Sequence, residues 1–147
     1  MATFYVIQDP QGLLVRRREL EHARQITQDA SDSLGRMLGQ WTWRGIVAER
    51  VKASINEERL RLRDAIGRID AAIAAIDRHR VWCEQQRTEL GRLERRIRSW
   101  IQAFKAMPPE AQLASRVKPP QLGVLPRPNN TQWFAHASFL RRNAVAF

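Results

Sequence analysis

At 147 residues and 44% hydrophobic side chains, the chain is large and apolar enough to fold around a core of its own. Its 25 Lys and Arg against 15 Asp and Glu, a formal charge of +10, favour an anionic partner. The lone cysteine, Cys83, excludes an intrachain disulfide, and no apolar run approaches the ~20 residues of a membrane span.

The first segment, TFYVIQDPQGLLV, reads as a β-hairpin over residues 1–16. Phe4–Ile7 are strand formers, Asp9-Pro10-Gln11-Gly12 suits a type I turn, and Leu13–Val15 can return as the second strand. A lone hairpin is marginal in water, so it needs a helix or another sheet to pack on. The opening residues lack the basic and apolar regions of a secretion signal. The expectation is a soluble product made in the cytoplasm, free there or incorporated into a particle or complex.

From Arg17 the period turns helical. Leu20, Ala23, Thr27, Ala30, Leu34, Met37 and Trp41 alternate steps of three and four, the pattern of a packed helix seam. GQWTWRG at 39–45 holds two glycines and two tryptophans and predicts a bend or helix–helix corner. Helix formers then dominate to Met107, so residues 17–107 form one helical region with a bend near 39–45.

Within it, Leu62, Ile66, Ile69, Ile73 and Ile76 make a second seam. After a charged patch it resumes at Leu90, Leu93, Ile97, Trp100, Ile101 and Phe104. Ile76 and Leu90 are two heptads apart, so the stripe returns on the same face. No Gly, Pro or Asn lies between to make a turn, and Glu84 can pair with Arg80 and Arg87. These features favour one long helix, roughly 90 Å at 1.5 Å per residue. The alternative is a reversal near His79 and a compact antiparallel bundle.

Pro108 and Pro109 end that helix, and six of the seven prolines lie between 108 and 128. Residues 108–147 therefore read as an extended basic arm, with five basic residues against Glu110. It ends in an aromatic docking segment, Trp133, Phe134, Phe139, Leu140 and Phe147, with Asn130 or Thr131 as helix caps. Such an arm can dock on its own chain or on a neighbour.

The fold class read from these elements is mainly α: a short N-terminal hairpin, a shorter helix, a long coiled-coil-like helix and a Pro-rich arm. The seam residues Leu62, Ile66, Ile69, Ile73, Ile76, Leu90, Ile97 and Phe104 are the candidate protein-partner contacts. Arg80, Arg87, Arg92, Arg95, Arg96, Arg98, Arg141 and Arg142 are candidates for an anionic partner, against the plainer reading of a solvated charged face. GRLERRIRSW at 91–100 also resembles a basic membrane-surface helix. Packing is the default for each of the five tryptophans; Trp82, off the seam, is the one most suited to an interface.

His79 and Cys83 share a helical face, but two ligands do not make a zinc site. No Gly-rich phosphate loop, HExxH or GxSxG occurs, and Glu57-Glu58 splay on a helix. The expectation is no enzyme, no cofactor and no metal. The expected role is a structural or adaptor subunit of a larger assembly, of phage-particle or secretion-machine type. It would work by helix packing and arm exchange with other subunits, its own copies among them. The alternative is a basic nucleic-acid-binding regulator, against which stands the lack of a recognition-helix motif.

Overall fold

A computed structural model describes residues 6–116, 118–119 and 125–142, the last four of these by backbone alone. Four helices follow in chain order: α1 (Pro10–Gly39), α2 (Ile46–Ala106), α3 (Pro109–Ala114) and α4 (Trp133–Arg142). The mainly helical class holds, and no strand occurs among the described residues.

The β-hairpin is not formed. Phe4 and Tyr5 lie outside the described residues, while the turn residue Pro10 and the expected return strand Leu13–Val15 belong to α1. Proline has no N–H to donate and a fixed φ, so the first position of a helix suits it as well as a turn does. α1 then gains the hydrogen bonds and seam packing that an isolated hairpin lacks. Val6 instead makes a single antiparallel bridge with Asn130.

α2 is one helix of 61 residues with no break at His79. The reversal lies at Gln40–Gly45, between α1 and α2. The chain divides into two compact units, Pro10–Val81, and Met1–Asp9 with Trp82–Phe147.

The Pro10–Val81 unit is an antiparallel helical hairpin. Arg17 Nε donates to Asp77 at 2.9 Å and Arg24 Nε to Asp70 at 2.6 Å. Each partner advances by a heptad while the other retreats by one. The same register sets Gly35 against the Arg59 guanidinium, where a Cβ would lie 3.0 Å from Nη2. It also sets Gly39 level with Ile55, so the turns of α2 before Ile55 extend past the end of α1. Ala48, on those turns, is fully buried. Gly45, at φ +114°, occupies backbone space that favours glycine.

The inward face of α2 is Ala48, Lys52, Ile55, Arg59, Leu62, Ile66, Ile69, Ile73, Ile76 and Arg80, all half-buried or buried in strict 4-3 alternation. The face of α1 is rotated from the expected one. Leu20, Ala23, Thr27, Leu34 and Trp41 are half-buried as read, but Ala30 is exposed and Met37 is 49% exposed. Arg17, Arg24, Ser31 and Leu38 take the intervening positions. An apolar pattern misses them because an arginine can bury its methylenes while its head reaches a carboxylate.

In the other unit the α2 stripe continues without a phase change: Cys83, Arg87, Leu90, Glu94, Ile97, Ile101 and Phe104. Cys83, Leu90 and Ile97 are each 1% exposed, which a solitary helix cannot achieve. The rest of this unit is the N-terminal segment and the chain beyond Ala106. The Ile7 N–H donates to Asn129 O at 2.9 Å, and Asp9 pairs with Arg87 at 3.1 Å. Trp133 is fully buried and its indole N–H donates to Arg127 O at 3.1 Å.

The arm is less extended than its prolines suggest. Pro109 starts α3, whose Gln112 side chain donates to the Met107 carbonyl at 2.8 Å and satisfies an acceptor beyond α2. Asn130 Oδ1 accepts from the Gln132 N–H at 2.8 Å just before α4, the local bond expected of a capping Asn.

Candidate interaction surface

The seam residues are sorted by what covers them. Leu62, Ile66, Ile69, Ile73 and Ile76 are half-buried to buried inside the helical hairpin; Leu90 and Ile97 are buried and Phe104 half-buried in the other unit. α1 runs along the first group, in the register set by the Arg17–Asp77 and Arg24–Asp70 pairs.

The arginines divide by the carboxylates in reach. Arg87 binds Asp9, Arg92 binds Glu89 at 2.5 Å, and Arg98 binds Glu94 at 2.9 Å. The last two are single-helix pairs at i,i+3 and i,i+4 spacing. Arg80 is half-buried. Arg95 and Arg96 are exposed and make no ion pair among the described residues. The side chains of Arg141 and Arg142 lie outside the described residues, as do those of Phe139 and Leu140 and the whole of Phe147. Of the docking residues, Trp133 is buried and Phe134 half-buried.

Asp77 raises the pKa of Arg17 by accepting its hydrogen bond and then by its charge; Asp70 acts in the same way on Arg24. His136, its ring 5.8 Å from Trp133, is pushed below the usual imidazole value by burial. Among the described residues no three His, Cys, Asp or Glu converge as metal ligands, and no helix is long and apolar enough to cross a membrane.

The corner expected at 39–45 is where the helical hairpin turns; what sequence reasoning missed is the exposure of the apolar side chains there. Trp43 is 56% exposed, Ile46 77% and Val47 59%, close in sequence to the half-exposed Met37. Trp43 stands 6.1 Å from Trp41, whose buried Nε1 has no acceptor among the described residues. Trp82, the tryptophan best suited to an interface on sequence grounds, is 39% exposed. The available signal was a reversal, bracketed by Gly39 and Gly45, that itself carries Trp41 and Trp43 and is followed at once by Ile46 and Val47. In comparisons with protein-family models, with curated proteins and with solved structures, nothing matches this chain.

Proposed function

We propose that the protein is a structural or adaptor subunit of a larger assembly, of phage-particle or secretion-machine type, acting through helix packing and arm exchange rather than catalysis. The observation that carries this is the covered stripe of α2 from Cys83 to Ile101. The two ends of the chain belong to the same unit as this stripe and are joined to each other and to α2 by polar contacts, Ile7 to Asn129 and Asp9 to Arg87, which supports their serving as its cover. A neighbour's arm can offer the same side chains to the same stripe, so closure within a chain and exchange between chains use one set of contacts. Co-expressing two differently tagged copies tests this reading. Co-purification that is lost on Trp133→Ala supports it, and a monomer at every concentration in light scattering sinks it.

The nucleic-acid reading rests on Arg95 and Arg96, whose exposed guanidinium groups can meet phosphates. Duplex DNA binding at low salt, weakened by Arg95→Gln with Arg96→Gln, is its test. Undetectable binding removes it.

A further inference from the structure

We infer that the end of the α1–α2 hairpin is a docking element for an anionic phospholipid bilayer, seating Trp43, Ile46 and Val47 in the membrane interface. These side chains are 56%, 77% and 59% exposed. They lie within five residues of one another at the reversal, where Gly39 ends α1, Gly45 at φ +114° turns the chain, and Ile46 and Val47 begin α2 exposed while the next residue, Ala48, is buried.

The surrounding charge selects the occupant. Between Gly39 and Ile55, which stand level, the chain holds Arg44, Arg50 and Lys52 against the single carboxylate Glu49, and one turn further in Arg36 stands level with the exposed Glu58. Glu49 is held by Lys52 at 3.1 Å, while Arg36 donates to the Ser33 hydroxyl and makes no ion pair among the described residues. Arg44 and Arg50 have no ion pair among the described residues. A second copy docking end to end would set these cations against their own equivalents. Nucleic acid would satisfy the arginines but leave Ile46 and Val47 in water. A bilayer surface offers both needs in layers, phosphates outside for guanidinium groups and an acyl boundary beneath for tryptophan and aliphatic chains.

This goes beyond the assembly reading, which stands or falls separately by the arm. The test uses the full chain with phosphatidylglycerol–phosphatidylcholine vesicles and with phosphatidylcholine vesicles alone. Binding is expected only with the anionic lipid, with quenching of Trp43 by brominated acyl chains that Trp43→Phe removes. Ile46→Ser with Val47→Ser lowers the affinity about tenfold or more, since two aliphatic side chains lose their apolar environment. The thermal transition of that variant is expected to match the parent, because both side chains are exposed in the fold. Absence of vesicle binding overturns the inference and leaves an acid-rimmed apolar protein groove as occupant. Binding that survives the double serine substitution also overturns it, assigning attraction to the arginines alone.

Discussion

Leu90 and Leu60 lie on the same helix and differ in one respect: Leu90 is 1% exposed and Leu60 is 63% exposed. Fully burying a leucine side chain contributes roughly 1.5–3 kcal/mol by transfer, and truncation adds a cavity term, so Leu90→Ala is expected to cost about 3 kcal/mol. Leu60→Ala, which removes little buried area, stays within about 0.5 kcal/mol. For a chain of this length 3 kcal/mol lowers Tm by roughly 6–12 °C. The loss belongs to the unit containing Trp82–Phe147, so it is read best from that unit's amides by hydrogen exchange and from the buried Trp100 and Trp133 by fluorescence in urea. Equal costs at the two positions would falsify the assignment of Leu90 to a covered stripe. So would a Leu90→Ala cost below about 1 kcal/mol.

Four further outcomes are expected. Gly45→Ala destabilises the hairpin by about 1–3 kcal/mol because of its φ of +114°, whereas Gly67→Ala, in open helix, stabilises by about 0.5–1 kcal/mol; urea midpoints separate the two. Arg24→Asp lowers Tm and a second change, Asp70→Arg, recovers it, with the recovery shrinking as salt is raised. His136 has a folded-state pKa below its unfolded 6.5, so its contribution is full above that value and is lost as pH falls through the lower folded value; His136→Gln flattens this dependence in pH-resolved melts. The buried Cys83 thiol reacts slowly with an aromatic disulfide reagent, and Trp133→Ala accelerates labelling if the chain's ends form its cover.

Much of α2 was legible because its apolar residues keep one period across a charged interruption. Arg80, Cys83 and Arg87 sit in phase with Ile76 and Leu90, and none of the residues between breaks a helix. What covers the stripe was not legible. Asp9 reaching Arg87 and Ile7 reaching Asn129 are contacts between distant parts of the chain, which local periodicity does not encode. The N-terminal error has a local cause: Asp-Pro-Gln-Gly satisfies the chemistry of a type I turn and of a helix start alike. The exposed arginines were legible by count, but their division into Arg92 and Arg98, held by carboxylates, and Arg95 and Arg96, without them, needed geometry.

The rotated face of α1 explains how this hairpin holds one register although its seam is polar in places. Sliding α1 by one heptad in one direction would keep Arg17 opposite an aspartate, Asp70, but would bring Arg24 to Arg63, two like charges. Sliding it the other way would keep Arg24 opposite an aspartate, Asp77. It would also carry Gly35 from Arg59 to Ile66, leaving the notch that admits the guanidinium with nothing to admit, and would move Arg59 to the level of Thr42. Charge opposes one slip and shape disfavours the other. A seam of alanine and leucine alone would discriminate among heptad registers weakly, because each step presents the same side chains again. Arg17, Arg24, Ser31 and Gly35, which an apolar count passes over, are therefore the residues that fix where the helical hairpin ends. They also fix which side chains stand exposed there.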